Sequence, residues 1–512
     1  MSLMINKGTK KMKVVTKSRY LTIKRCIKEA WLDLHHPYEA ILDPALDKRA
    51  LDGKIVGEYA KKLFPNVIDV TSYREDKSLD INNMIGLTNR YLASGDKVIA
   101  EASFLVDNLF CSIDLLKPVG EEYEIYEVKA TTKVEKEHLC DAAFQKYVLE
   151  KRGLKVKDVY IVHLNNDYIR KGDIDVDKLF KIERVTLHPD FLFESSDIEN
   201  QLANFKIVEE DELNNEDNYF SSNCSGCKYQ QYCLRKLPKP NVTDINGLRD
   251  KYVYLRNNII TFTDVLTSGV KLNKRQRVQV NSYLNNKEVV IDVKAIKNFL
   301  KTIKYPVYHL DFESIQLPIP PSDNSWPYEQ IPTQYSLHIE YENGHLEHKE
   351  FLGNSIDPRR EIAESLCKDI PMGVCVLAYN KTFECSRIQE LADLFPDLRE
   401  HLLNIKENVV DLIIPFKNGS YYHKDMGGSN SIKYVLPALF PVDPELDYHA
   451  LPLVHNGGEA MDIYPKMIEA QGREKSDIRD GLLKYCCLDT LAMVKVLSKL
   501  KEIVQQYEGR ST

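Results

Sequence analysis

An α/β fold in two successive domains is what the sequence predicts, on three grounds. The chain of 512 residues exceeds what a single hydrophobic core ordinarily serves, so two domains and a joining segment follow. Short apolar runs bounded by turn residues alternate with stretches of helical periodicity in both halves, the pattern of strands interleaved with helices. Hydrophobic residues make up 43% and charged residues 28% of the chain, an ordinary balance for a globular protein in water.

Taken in order, residues 18–64 read mostly as helical. CSIDLL (111–116) alternates as a strand, KPVGEE turns, and YEIYEVKA (123–130) returns as its antiparallel partner. Residues 136–151 hold apolar positions at helical spacing without breakers, and VKDVYIVHLN (156–165) is a further strand. A polar, acidic stretch over 209–218 reads as a loop, and KLPKPNVTD (236–244) punctuates the end of the first domain. The boundaries are therefore 1–240 for the first domain, 241–300 for a helical connector and 301–512 for the second domain. The second opens on the buried strand PVYHLDFES (306–314), followed by the Pro-rich loop QLPIPPSDNSWPYEQIP. A hairpin over 334–352 turns at Asn343-Gly344, GVCVLAYN (373–380) is another strand, and residues 480–500 form a long final helix.

No apolar run approaches the roughly 20 residues that span a bilayer. The basic N-terminal stretch lacks the apolar core of a secretory signal, so a cytoplasmic location is expected. Eleven cysteines, an odd number in such a chain, point to reduced thiols rather than a disulfide framework and leave some free to bind metal. The net charge of −7 does not by itself suggest a nucleic-acid partner, because phosphates are met by clustered cations. Two clusters exist: Lys7 to Lys28, with Lys10, Lys11, Lys13, Lys17, Arg19, Lys24 and Arg25 between, and KLNKRQR from Lys271 to Arg277. A solvated face is the alternative reading of either.

Asp114 and Glu127 fall on two strands joined by a short turn, so their carboxylates can converge. Lys129, two residues beyond Glu127, shares its face of the strand. Two carboxylates can hold a hard divalent ion such as Mg or Mn, and a nearby lysine can orient or deprotonate water or stabilise developing negative charge. Cys26 precedes this group, and Cys224-x2-Cys227-x5-Cys233 follows it. Four thiolates can hold an iron-sulfur cluster or a structural zinc ion.

Asp114, Glu127-x-Lys129, and then Gln145 and Tyr147 on the next helix, resemble the PD-(D/E)xK restriction-endonuclease-like nuclease motif in its RecB-like form. One cysteine before the core and three after it is similar to the layout of the iron-sulfur members of that superfamily. The resemblance implies a 4Fe-4S cluster on Cys26, Cys224, Cys227 and Cys233, with zinc as the alternative. Such a cluster would clasp a loop of nearly the whole domain. Two departures stand out. The family's Gln-x3-Tyr is replaced by leucine at 149 and tyrosine at 147, and the upstream histidine is missing from GEYAKKLF, where Glu58 stands instead. Glu58 and Glu101 are further candidate ligands.

In the second domain, Asp311 and Glu313 leave the same face of a strand, and Tyr485 and Asp489 are four apart on one face of a helix. With Asn380 and Glu384 from AYNKTFE, these resemble the RNase H-like DEDD exonuclease superfamily, in the subtype with tyrosine in its last motif. The resemblance implies that Asp311, Glu313, Glu384 and Asp489 hold two divalent ions and that Tyr485 positions water. Glu384 departs from the expected aspartate. Asp411 matches a position often acidic in such enzymes, and SIKYVLPALF (431–440) is similar to the helix that precedes the final motif. The expectation is a dual-site, metal-dependent DNA exonuclease acting on ends or single strands in repair, recombination or defence. The alternative is an RNA-trimming 3′–5′ exonuclease whose N-terminal domain is a binding platform. Tyr328, Tyr335, Tyr421 and Tyr422 are candidates for base stacking, with core packing the favoured role.

Overall fold

The protein is described by a computed structural model covering residues 4–5, 12–43, 45–209, 213 and 219–509. Lys7, Lys10 and Lys11 of the first basic cluster, and most of the polar loop over 209–218, lie outside the described residues. Two compact units divide the chain: Met1–Arg235 with Leu317–Tyr328, and Lys236–Gln316 with Glu329–Thr512. Each mixes helices with one main sheet.

The first unit is built from β1 (Val15–Thr16), α1 (Lys17–Arg25), α2 (Ile27–His35), α3 (Ala45–Ala60), β2 (Val67–Asp69) and α4 (Ile81–Ser94). It continues with β3 (Val98–Val106), β4 (Leu109–Val119), β5 (Glu122–Lys129), α5 (Lys136–Lys151), β6 (Lys155–Leu164), β7 (Phe180–Arg184) and α6 (Pro189–Glu209). The sheet runs β2-β3-β4-β5-β6-β7, with β1 pairing β4. β4 is antiparallel to both β3 and β5, and β5 pairs β6 in parallel through the α5 crossover. Alternation assigns the strand residues to two faces. Ile99, Ile113, Ile125 and Ile161 pack with Phe144 and Phe191 of α5 and α6, whereas Ala100, Leu115, Tyr126 and Val162 pack with Val56 and Ala60 of α3. The Pro-rich segment Leu317–Tyr328 also belongs to this unit: Tyr328 donates its hydroxyl to the Ala130 carbonyl at 2.9 Å and Arg170 N–H bonds the Ser325 carbonyl at 2.9 Å.

The second unit begins with short helices, α7 (Lys251–Arg256), α8 (Phe262–Thr267), α9 (Lys274–Leu284) and α10 (Val293–Leu300). These fall in the span read from sequence as connecting helices. A five-stranded sheet follows, with β8 (Val307–Ile315), β9 (Ile331–Glu340), β10 (Leu346–Leu352), β11 (Cys375–Ala378) and β12 (Val409–Asp411) in the order β10-β9-β8-β11-β12. The first three strands are antiparallel, and β8, β11 and β12 are parallel. β9 and β10 form the hairpin anticipated at Asn343-Gly344, where Gly344 takes φ +84°. That left-handed conformation suits glycine. β8 sorts its side chains by the period of two. Tyr308, Leu310 and Phe312 enter the core with Ile362 of α11 (Arg359–Asp369), Ile388 of α12 (Thr382–Leu394) and Leu402 of α13 (Arg399–Glu407). His309, Asp311 and Glu313 therefore take the opposite face. The last elements are α14 (Ile432–Leu439), α15 (Gly457–Glu469) and α16 (Gly472–Gly509). α16 reaches the sheet's other face, where Gln334 donates to the Leu482 carbonyl at 2.9 Å.

Tyr335, Tyr421 and Tyr422 are buried, so core packing is their role. Among the described residues, no helix is long and apolar enough to cross a membrane.

Phe144 is fully buried and stacks on Tyr20 with ring centroids 4.8 Å apart. Phe144→Ala should cost about 3–5 kcal/mol, read as an earlier guanidinium midpoint for the first unit. Leu187→Ala, at a position 71% exposed, should stay within about 0.5 kcal/mol.

Candidate metal centres

In the first unit, β4 supplies Asp114, β5 supplies Glu127 and Lys129, and α5 supplies Gln145. The antiparallel pairing of β4 with β5 draws these side chains together across the loop-linked strands. Lys129 Nζ donates to Glu127 Oε1 at 2.7 Å and to Asp141 Oδ2 at 2.5 Å. Gln145 Nε2 donates to Glu127 Oε2 at 2.6 Å and Asp141 Oδ1 at 3.1 Å. The Val128 N–H donates to Asp114 Oδ2 at 2.7 Å.

Two participants escaped the sequence reading. Asp141 precedes Gln145 by one helical turn and so shares its face, a spacing that was open to inspection. Lys17, at the start of α1, donates to Glu127 Oε1 at 2.9 Å and lies 3.3 Å from Asp141 Oδ2. Nothing local marks it out from the other lysines of its cluster.

Burial would push Glu127 up, but the ammoniums of Lys129 and Lys17 outweigh it and hold the carboxylate well below its ordinary range. Asp141 moves up, from burial and the adjacent Glu127 charge. Asp114 is raised well above normal by burial, then by Glu127, with Lys17 opposing. Burial depresses Lys129 less than Glu127 and Asp141 raise it, so it stays cationic.

Glu101 sits at a break in the β3–β4 ladder, where Ala100 pairs Leu115 and Ala102 pairs Ile113. Its φ of +58° is unusual for a residue with a side chain, and its carbonyl accepts the Ser103 and Ser112 hydroxyls at 2.9 and 3.2 Å. It therefore occupies the position facing Asp114. Burial and the Asp69 carboxylate raise it. Glu58, by contrast, lies exposed on α3, and Lys61 bridges it to Asp69 at 2.6 and 2.5 Å.

Tyr147 does not join the site. It is two residues from Gln145, a rotation of roughly 200° about the helix, and its hydroxyl instead donates to Glu199 on α6 at 3.2 Å. The assignment of Tyr147 as a catalytic residue is corrected accordingly.

The four cysteines converge on α1 and α2. Cys26 is the N-cap of α2, where the N–H groups of Glu29 and Lys28 favour its thiolate against the upward push of burial. Ser221 N–H points to Cys224 Sγ at 3.5 Å, and a Tyr229 N–H favours the Cys227 thiolate although burial pushes that thiol up to about 12. Cys26 feels the charge of Cys224, Cys227 that of Cys233 and Cys26, and Cys233 that of Cys224 and Cys26. Protein contacts hold the two segments together: Asn223 Nδ2 donates to the Arg25 carbonyl at 2.9 Å, Tyr229 to Asp33 at 2.8 Å, and Ile41 N–H to the Lys228 carbonyl at 2.9 Å. Backbone N–H groups are directed at these sulfurs, but among the described residues no three of the four sulfurs lie within 4.8 Å of one another.

Among the described residues of the basic clusters, several have internal partners. Lys24 pairs with Glu194 and Arg25 with Glu29, while Arg275 donates to Asn430 at 2.6 Å and Arg277 to the Leu272 carbonyl at 3.1 Å.

In the second unit, Asp311 and Glu313 on β8 and Asp489 on α16 each offer an oxygen within 4.8 Å of the others. Glu384, at the start of α12, is 3% exposed, and its Oε2 is buried with no hydrogen-bond partner. Asp311 is raised well above normal, by burial first, then by Asp489, Glu384 and Glu313, with Lys433 opposing. Burial and like charges likewise push Glu313 and Glu384 up to about 8, while burial alone pushes Asp489 up to about 6 against the Tyr448 and Tyr485 hydroxyls and the Lys433 charge. Asp411 serves the loop instead: its Oδ1 accepts the Asn380 and Ile413 N–H groups at 2.9 and 3.2 Å. It thereby steadies Asn380 at φ +68°.

Tyr485 shares its α16 face with Asp489, as its four-residue spacing requires. Burial, then Asp489 and Glu313, raise its phenol far above the normal value, so it acts as a neutral donor. Two neighbours were not foreseen. Tyr448 donates to Asp489 Oδ1 at 2.6 Å, and Lys433 Nζ donates to the Tyr485 hydroxyl at 3.3 Å. Lys433 is the one cation of SIKYVLPALF, a signal that was available. Lys433, Tyr448, His449 and His455 line a cavity of about 540 Å³. A Cβ on Gly457 would lie 3.5 Å from Glu313 Oε2, so the first turn of α15 closes over that carboxylate.

Fold and site together define an α/β protein with a crowded, partly buried carboxylate centre in its second unit. Residues 308–431 match a family described as "Domain of unknown function (DUF2779)". That span contains Asp311, Glu313, Glu384 and Asp411 but stops before Tyr485 and Asp489. The chain is similar to uncharacterized protein MG366 of Mycoplasma genitalium, with 24% identity over 284 residues, 50% of this chain and 42% of that protein. It is also similar to uncharacterized protein UU173 of Ureaplasma parvum, with 30% identity over 200 residues, 36% of this chain and 28% of that protein. The MG366 homolog of Mycoplasma pneumoniae is 25% identical over 240 residues, 43% of this chain and 36% of that protein. The chain thus spans less than half the length of these curated relatives.

The carboxylate centre gives a pH dependence. Unfolded, Glu313 ionises near about 4.5, and folded near about 8. Below the lower value both states are protonated. Through the window between them the unfolded chain releases a proton that the folded one keeps, so the metal-free protein loses stability as pH rises from about 4.5 to about 8. In EDTA, Glu313→Gln should raise the thermal midpoint at pH 8 by an amount corresponding to at least about 1 kcal/mol, and by much less at pH 5. An equal effect at both pH values would refute the desolvated cluster.

Proposed function

We propose that the protein is a metal-dependent nuclease whose principal active site is the carboxylate cluster of the second unit, with DNA ends or single strands as substrate. The observation that carries this reading is the crowding of Asp311, Glu313 and Asp489 within 4.8 Å, beside a buried, unpartnered Glu384 oxygen. Acidic groups crowded out of water are costly unless a cation joins them, and an all-oxygen donor set suits Mg or Mn. Divalent ions held there would supply Lewis-acid stabilisation to a phosphodiester. The protein's own contribution is positional. β8 and α16 fix the acids, Tyr448 orients Asp489, and Lys433 orients the Tyr485 hydroxyl. Tyr485 would then donate a hydrogen bond to water or phosphate, and Lys433 would add positive charge on the cavity side. The mixed sheet with acids on its first strand and the last helix supplying Tyr485 and Asp489 supports the RNase H-like, DEDD-type reading, with Glu384 in the place of the usual aspartate.

In the first unit, the converging Asp114, Glu127, Lys129 and Gln145 support a PD-(D/E)xK-type reading. Here both Glu127 oxygens already have partners and Lys17 provides charge compensation, so a divalent ion would have to displace the Lys17 ammonium. Lys129 would stabilise charge on phosphate. The four cysteines would hold a 4Fe-4S cluster, or zinc in its stead, as a clasp between α1–α2 and the segment carrying Cys224, Cys227 and Cys233. The alternative, an RNA-trimming exonuclease with the first unit as binding platform, is favoured by that same engagement of Glu127.

With Mn, the native protein should degrade end-labelled single-stranded DNA, and Asp311→Ala should lower the rate by at least about 100-fold. If Lys129→Ala removes a separate cleavage pattern, both sites are active; if it changes nothing, the first unit is a platform. No cleavage of DNA or RNA by the native protein with Mg or Mn would overturn the proposal. Anaerobically purified protein should contain iron and acid-labile sulfide, and Cys26→Ser should lose most of both. Zinc in their place, lost in the same variant, would select the alternative.

A further inference from the structure

A second group of donors in the second unit has no part in the chemistry above. His338 on β9 and His348 on β10 are directly paired across the antiparallel ladder, which places their Cβ atoms about 4.5–5.5 Å apart. Their rings lie 4.5 Å apart at 35°. Cys487 on α16 completes the group: one nitrogen of each ring and the Cys487 sulfur all lie within 4.8 Å of one another. The carboxylate cluster offers only oxygen, whereas this group offers two imidazoles and a thiol, the donor set of borderline-soft ions rather than of Mg.

Hydroxyl groups hold both rings. His338 Nδ1 and the Thr490 hydroxyl are 2.8 Å apart, His348 Nε2 and the Ser336 hydroxyl 2.9 Å, and the two hydroxyls 2.6 Å. Each imidazole is thus anchored at one nitrogen and keeps a second. Outer hydrogen bonds of this kind orient the histidines of metal sites. His338 is buried, Cys487 half-buried and His348 exposed, so an ion has a way in from solvent. Glu350 follows His348 by two residues on the same face of β10 and pairs in register with Ser336. It is the acidic group placed to offer an oxygen at the remaining position.

We propose that His338, His348 and Cys487 form a transition-metal site, distinct from the Mg or Mn centre, that takes zinc or another borderline-soft divalent ion. Three protein ligands with a fourth position left to Glu350 or water is a familiar zinc arrangement. Occupancy would tie α16 to the β9–β10 hairpin. Cys487 lies between Tyr485 and Asp489 on that helix, so the ion would also brace the element that carries these two residues.

The test uses the full-length protein, stripped with chelator and titrated with Co2+ and with Zn2+ in excess Mg2+. Because the four cysteines of the first unit would also take such ions, the comparison is between native protein, His348→Ala and Cys487→Ser. His348 is exposed, so its replacement should leave the circular dichroism of the metal-free protein unchanged. The proposal expects native protein to take up one more equivalent of Zn2+ than His348→Ala, and expects Cys487→Ser to lose part of the cobalt–thiolate charge-transfer absorption. Equal uptake by native protein and His348→Ala would overturn it and leave the residues as a packed histidine pair. Loss of the extra equivalent in excess Mg2+ would also overturn it, because the ion would then reside on the carboxylates. The outcome does not depend on nuclease activity.

Discussion

Repulsion among crowded carboxylates, Asp489 and Glu384 buried and Asp311 and Glu313 half-buried, is the constraint around which the second unit is arranged. Asp311 and Glu313 leave β8 on the face opposite Leu310 and Phe312, so the period of the strand that builds the core also forces two acids together. α16 adds Asp489 from above, and α12 adds Glu384. A hydroxyl from Tyr448 and the ammonium of Lys433 offset part of the charge within the protein. The fold spends part of its stability to hold this group out of water, which is common where a site is built for an ion and a charged substrate.

The first unit solves a similar problem differently. Glu127 and Asp141 there are paired with the protein's own cations, Lys129 from the same strand as Glu127 and Lys17 from the opening of α1. Buried carboxylates paired in this way are satisfied without an ion. The two centres therefore differ in electrostatic state although their sequence motifs look alike in kind.

Much of this was legible in the sequence because it rests on local periodicity. The strands around Asp114 and Glu127, the α5 helix, the β9–β10 hairpin and the face shared by Tyr485 and Asp489 follow from spacings of two and four residues. Tyr147 failed on the same ground, since two residues along a helix cannot share the face of Gln145. Lys17, Tyr448 and the His338–His348–Cys487 group were not legible, because they depend on which distant segments meet. Lys17 reaches Glu127 across 110 positions of chain, and Tyr448 reaches Asp489 across 41. The Pro-rich segment Leu317–Tyr328 was assigned by position to the second domain, yet it packs in the first unit through Tyr328 and Ser325. Pattern alone cannot fix such tertiary partners.

The central claim is that the buried acids of the second unit exist to hold divalent ions, and calorimetric titration of Mn2+ into metal-free protein tests it most directly. The account predicts saturable binding at pH 7.5 that weakens at least about tenfold in Asp489→Asn, a loss of about 1.4 kcal/mol, with the folded structure retained. Equal Mn2+ affinity in native protein and Asp489→Asn would contradict it.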